Sequence, residues 1–172
     1  TASDGKFTPA EIVTKAVKAG LEYIAICDHD SIEGVASAQA AANNYPGLTV
    51  IGGVEINTDI PAGELHILGY CYNQNNPELR QTLERLRNSR VERAHKIIHK
   101  LRKLGIKIDF VRVEELAGTG SIGRPHIAQV MLEKGYVNSL REAFIKYISR
   151  GGPAYVERDK ITPAEAIQLI AR

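Results

Sequence analysis

The sequence predicts an α/β protein with a largely parallel sheet, and three observations carry that expectation. Short apolar runs of strand length alternate with longer segments of helical periodicity. Proline, glycine and asparagine punctuate the boundaries between them. The 172 residues are 44% hydrophobic and 24% charged, which suits a globular chain and not a disordered, collagen-like or coiled-coil one. At this length one core buries most of the apolar surface, so a single domain is expected.

Each element has its own signal. Thr8-Pro9-Ala10-Glu11 opens a helix, with the threonine as cap, the proline in the first turn and the glutamate completing a capping box. Ile12, Val13, Ala16 and Val17 follow at helical spacing, and Gly20 closes the segment. Residues 23–27 read as a short buried strand ending at Asp28-His29-Asp30, after which Ser31 caps an alanine-rich helix over about residues 33–43. Asn44-Tyr45-Pro46-Gly47 turns the chain, and residues 48–56 and 65–70 read as two further buried strands.

Asn76-Pro77 starts the longest helix, which runs to about Lys103 and ends before Gly105. Leu79, Leu83, Leu86, Ala94, Ile97, Ile98 and Leu101 form its apolar stripe; nine bases against three acids make the other face strongly basic. Helices are also expected near 124–134, 139–149 and 163–171, the last two starting at Ser139 and Thr162. Thr162-Pro163-Ala164-Glu165 repeats the residues of the first helix start, and capping needs alone explain it.

Composition narrows the function. No apolar run approaches the roughly 20 residues that span a bilayer, and no basic-then-apolar leader opens the chain. Cys27 and Cys71 lie in apolar runs and read as buried reduced thiols, so a cytoplasmic location is expected. The net charge of +2 hides an asymmetry. Residues 1–66 carry nine acids against three lysines, a balance of −6, while the remaining residues carry +8. An acidic part joined to a basic part suits a site that holds cations and receives an anion, although solvated faces can cluster charge without any such purpose.

Strand ends are where α/β folds place function. Asp28-His29-Asp30 follows the first strand, Glu55 lies near the end of the second and His66 in the third. Singly, each has a structural explanation: a histidine can be hydrogen-bonded scaffold, and Glu55 can cap a helix. Together, imidazoles and carboxylates from three strands are what a site for borderline divalent cations needs. Asp4, in the turn Ser3-Asp4-Gly5, is available as a further ligand or is simply a turn former.

Ser3-Asp4-Gly5, Cys27 through Gly34, Gly53-Val54-Glu55-Ile56 and His66-Ile67-Leu68-Gly69-Tyr70 resemble successive motifs of the PHP (polymerase and histidinol phosphatase) superfamily. Gly123-Arg124-Pro125-His126-Ile127-Ala128 and Gly152-Pro153-Ala154-Tyr155-Val156 resemble its nucleotide phosphoesterase branch. The resemblance implies a distorted (β/α)7 barrel whose two or three divalent ions, Mn, Fe or Zn, drive hydrolysis of phosphoesters. It makes Asp4, His29, Glu55 and His66 metal ligands, with Glu55 the catalytic bridge between ions. Asp28 and Asp30 are then expected to orient the imidazoles, since bound histidines donate their other N–H to an acceptor. It places Arg124 and His126 at the substrate phosphate, with a packed arginine and a helix-start histidine as the structural alternative.

The family pattern also has a His-x-His strand before the Ser-Asp-Gly turn, and His-Pro and Asp-x-His motifs after a helix like 163–171. This chain carries none of these. Residues 1–172 are therefore expected to be one domain cut at both ends, an incomplete barrel with a helical insertion over about 77–150. The expected substrate is a nucleotide or short nucleic-acid phosphoester, towards which Arg90 and Arg93 could guide it; no membrane partner is expected. Two other readings stay open: a catalytically silent binding or polymerase-associated module, and an inactive fragment of the enzyme. His95 and His99 are spaced i, i+4 as in zinc proteases, but Lys96 stands where the catalytic glutamate belongs, so a solvated helix face is expected. Residues 118–123 are glycine-rich without a P-loop ending and read as a flexible loop, one that could present backbone N–H groups to phosphate.

Overall fold

Capping chemistry decides where the first helix begins. In α1 (Pro9–Lys18) the Thr8 hydroxyl accepts from the Glu11 N–H, and the Glu11 carboxylate accepts from the Thr8 N–H. Its apolar side buries Val13 and Ala16. A computed structural model describes residues 1–60, 63–118 and 120–172; Thr119, in the expected 118–123 loop, lies outside them.

β1 (Tyr23–Ile26) and β2 (Thr49–Ile60) pair in parallel, from Tyr23 opposite Thr49 to Ile26 opposite Gly52. Helix α2 (Glu33–Ala42) is the crossover between them; Ile32 stands at its N-cap, and the Ser31 hydroxyl contacts the Glu33 side chain. β2 and β3 (Gly63–Tyr70) then pair antiparallel, with Gly53 opposite Tyr70 and Ile60 opposite Gly63. The sheet, in the order β1-β2-β3, is thus mixed. That corrects the expectation of a largely parallel sheet. Two residues separate β2 from β3, and a parallel return needs a connection of about a dozen.

The strands are also less buried than their apolar runs suggest. β2 alternates: Val50, Val54, Ile56 and Thr58 face the packed side, while Glu55, Asn57 and Asp59 fall on the other. β3 exposes Leu68 and Tyr70 on the face it shares with Glu55. One covered face and one open face organise the site.

Two compact units are present. The first comprises Thr1–Arg87 and Lys160–Arg172, and the second Asn88–Asp159; α3 (Pro77–Lys103) contributes to each. In the first unit, Val13, Ile26, Val35, Ala38, Leu48 and Val50 form a core between α1, α2 and the sheet. A neighbouring core joins Val54 and Ile56 to Leu79, Leu83 and Leu86 of α3 and to Ala166 and Leu169 of α7 (Pro163–Ile170). α7 begins with a second capping box, Thr162 with Glu165, and Ile161 bridges in parallel to Thr58.

The second unit is helical. α4 (Phe110–Ala117), α5 (Arg124–Glu133) and α6 (Leu140–Ala143) follow the latter part of α3, and α6 continues as a π-helical turn over Phe144–Ile148. Ala94, Ile97, Leu101, Ile108, Val113, Ile127, Met131 and Ile148 form its core. α4 was not foreseen, because it has no side-chain cap: Asp109 stands at its N-cap but pairs with Lys134 Nζ at 2.7 Å. Among the described residues no helix is long and apolar enough to cross a membrane.

Leu86 is fully buried in the first unit, so Leu86→Ala should lower unfolding free energy by about 2–5 kcal/mol in urea titration. Thr162→Ala should cost about 1 kcal/mol through its capping box alone, leaving the circular dichroism spectrum unchanged.

Candidate metal centre

The backbone past β1 does not leave the sheet at once. Glu55 N–H donates to Asp28 O at 3.0 Å and Asp30 N–H donates to Glu55 O at 2.8 Å, an isolated parallel bridge that sets His29 beside Glu55. Asp30 then turns the chain with φ 52°, a left-handed conformation uncommon for a residue other than glycine. Its fully buried carboxylate accepts from the Asn57 N–H at 3.2 Å. Asp28, also buried, accepts from the Thr1 ammonium at 2.6 Å, from the Thr1 hydroxyl and from Ser3 Oγ at 3.0 Å. Burial pushes the Asp28 carboxyl up, but hydrogen bonds from Thr1 and the Ala2 backbone outweigh it and hold the group below its ordinary value. Asp28 fixes the segment that carries Asp4, and Asp30 fixes the backbone of β2.

Register explains the rest. Glu55 lies opposite Leu68, and Asn57 opposite His66, so with a side-chain period of two Glu55 and His66 share the open face. Glu55 Oε1 is 2.5 Å from His66 Nδ1, and Oε2 is 3.5 Å from His29 Nδ1. The two rings stand edge to face, 5.2 Å between centroids and 88° apart in plane. One donor atom from each of His29, Glu55 and His66 lies within 4.8 Å of the others. Asp4 meets the other nitrogen of His29, with Oδ2 3.8 Å from Nε2, and is 61% exposed. Of the four expected ligands, three are gathered and the fourth stands beside them.

The donors fit a borderline divalent cation: two imidazole nitrogens with carboxylate oxygen, partly sheltered at 20%, 38% and 23% exposure for His29, His66 and Glu55. His29 Nδ1 is buried and makes no hydrogen bond among the described residues. A cation between this nitrogen and the Glu55 carboxylate would satisfy both. Only His29 obeys the strand-end rule, however. Glu55 and His66 lie within the hairpin, which reaches the site by antiparallel pairing.

Close packing surrounds the group. A Cβ at Gly53 would sit 2.8 Å from Ile26 O and would meet Cys27 Sγ, so only glycine lets β1 and β2 approach here. Burial pushes the Cys27 thiol up, the charges of Glu55 and Asp28 add to the shift, and a hydrogen bond with Tyr70 opposes it. Cys27 is half-buried and Cys71 exposed, correcting the expectation that both thiols are buried. The Tyr72 hydroxyl donates to Gly53 O at 2.8 Å beneath the sheet.

The expected substrate residues belong to the second unit. Arg93 Nε donates to Val156 O at 2.7 Å, and its guanidinium lies 5.5 Å from the centre of the Tyr155 ring. Arg124 donates to Ile148 O at 3.3 Å and lies 5.7 Å and 5.9 Å from the Phe144 and Tyr155 rings. His126 Nδ1 accepts from the Gly123 N–H at the start of α5. Arg90 stands one helical turn before Arg93 on α3. His95 stacks on Phe110 with 3.8 Å between ring centres. Sequence reading did not single out Asn57, whose only signal is its place two residues beyond Glu55 on the same strand face.

Fold and site together define a class: an α/β protein that gathers a His–Glu–His group able to hold a divalent cation on the open face of a mixed sheet. The chain belongs to the PHP domain family, whose model matches residues 1–159. It is 34% identical over 170 residues to a 5′-3′ exoribonuclease of Haemophilus influenzae, covering 99% of this chain and 61% of that one. It is 31% identical over 169 residues to a 3′,5′-nucleoside bisphosphate phosphatase of Chromobacterium violaceum, covering 98% and 59%. A crystal structure of a proposed metal-dependent phosphoesterase from Bifidobacterium adolescentis superposes with a TM-score of 0.87 at 27% identity, covering 98% of this chain and 59% of the other. The chain thus spans about three fifths of the length of these relatives.

Gly53→Ala should separate β1 from β2 beside the His29–Glu55 bridge and destabilise the protein by about 1–3 kcal/mol in chemical denaturation. Unchanged stability would show that the strands do not depend on this contact.

Proposed function

We propose that the protein of which this chain is a part hydrolyses phosphoesters of nucleotides or nucleic-acid ends with two or three divalent cations, Mn, Fe or Zn. The observation that carries the reading is the Glu55 carboxylate set between two imidazoles, Oε1 towards His66 and Oε2 towards His29. A carboxylate with one oxygen on each side can serve two cation positions at once, which no neutral side chain does as well. Divalent cations held there supply the acidity that makes water a nucleophile near neutral pH and the positive charge that phosphate oxygens require. Relatives named as an exoribonuclease and a nucleotide phosphatase support the substrate class.

Within this reading His29, Glu55, His66 and Asp4 hold the cations, and Asp28 and Asp30 orient the imidazoles and keep their backbone in place. Arg124 and His126 engage the substrate phosphate, a role that rests on the family motif and on the guanidinium fork that bonds two oxygens at once. Arg90 and Arg93 attract the anionic substrate. The mixed sheet is read as part of a (β/α)7 barrel within one longer domain, in which the helical segment is an insertion; the parallel β1–β2 pair with its α2 crossover supports this. A cytoplasmic location accompanies a nucleotide substrate.

Metal analysis of the purified chain after incubation with Mn, Fe or Zn and desalting should find bound cation, and Glu55→Gln should abolish it. In the longer protein the same substitution should reduce turnover of nucleoside bisphosphates and short oligonucleotides at least 100-fold. Absence of bound metal in the unaltered chain would refute the proposal.

A further inference from the structure

Buried polar atoms in the first unit are nearly all satisfied. Among its described residues two side-chain atoms are buried without a hydrogen bond: His29 Nδ1 and Asn57 Oδ1. Both stand beside the same residue. His29 is the bridge partner of Glu55, and Asn57 is two residues beyond Glu55 on the same strand face. Asn57 is also directly opposite His66, where cross-strand side chains are neighbours. A buried acceptor left unpaired is costly, and it is rarely retained without a partner that binds there.

The backbone of Asn57 is fixed as firmly as that of the metal-site residues. Its N–H donates to the fully buried Asp30 carboxylate at 3.2 Å, and Asp30 belongs to the segment that presents His29. One segment therefore bears on the backbone of both residues. We propose that Asn57 supplies a neutral carboxamide oxygen to the cation group of His29, Glu55 and His66. This rests on the metal reading above and extends it by one residue. Amide oxygen is a hard donor that suits Mn, Fe or Zn beside imidazole and carboxylate, and it adds no further negative charge.

Mn(II) binding to the purified chain, followed by titration calorimetry and by the electron paramagnetic resonance spectrum of bound Mn(II), tests the assignment. Asn57→Leu, close in volume and without a donor oxygen, should weaken Mn(II) binding 10- to 100-fold and alter the spectrum. The metal-free melting temperature of this variant should equal or exceed that of the unaltered chain. Asn57→Asp should restore or tighten binding. Should Asn57→Leu fail to fold, Asn57→Ala is read in the same way. Unchanged Mn(II) affinity and spectrum in the leucine or alanine variant would overturn the role of Asn57 alone. So would a loss of affinity that Asn57→Asp does not restore. An unaltered chain that binds no Mn(II), Fe(II) or Zn(II) overturns this assignment and the proposed function together.

Discussion

Two backbone hydrogen bonds, Glu55 N–H to Asp28 O and Asp30 N–H to Glu55 O, carry the candidate site. They extend strand pairing beyond the regular end of β1 and place an imidazole beside a carboxylate with no side chain having to reach. Pairing then stops because Asp30 adopts a left-handed conformation, and its carboxylate, turned inward, holds β2 at Asn57. Gly53, next to this bridge, lets the strands come together. Without this short extension His29 would sit on an ordinary loop, and its distance from Glu55 would be set by loop mobility.

The sheet divides its labour between faces. The covered face spends apolar burial on stability, with Val54 and Ile56 against α3 and α7 and Val50 against α1 and α2. The open face gives up that burial and carries Glu55, Asn57 and His66. Asp28, beside His29 in sequence, is held by hydroxyl groups of Thr1 and Ser3. The carboxylates of Glu55 and Asp4 are the ones turned to the imidazoles.

Much of this was legible from residue types and spacing. Caps at Thr8, Ser139 and Thr162 mark helix starts because the signal is local, a side chain three residues from the N–H it satisfies. His29, Glu55 and His66 were recognisable because three strand-like runs each delivered one chemically matched group. The hairpin was not, because an apolar run of strand length does not reveal its pairing direction or how many of its faces are covered. Nor was α4, whose Asp109 is drawn to Lys134 instead of capping. The partners of Asp28 were hidden for a related reason: they come from the first three residues, distant in sequence and joined only by the fold. Many bases of the long helix looked like a solvated stripe. Arg80, Arg87, Arg93 and Lys100 instead bond to groups within their own units.

The second unit leaves and returns at nearly one point: Ser89 Oγ donates to Asp159 O at 3.4 Å across 70 residues of sequence. That closure bears on the order of assembly. Glu55 and His66 meet across 11 residues, an inexpensive loop, whereas Asp59 and Lys160 meet across 101. Each doubling of an open loop adds about 0.6 kcal/mol of entropy cost. Once residues 88–159 have collapsed, the chain between Asp59 and Lys160 behaves as a short connector, and Ile161 docks on Thr58 over a small search volume. The second unit thereby shortens, in effect, the path by which α7 finds the sheet.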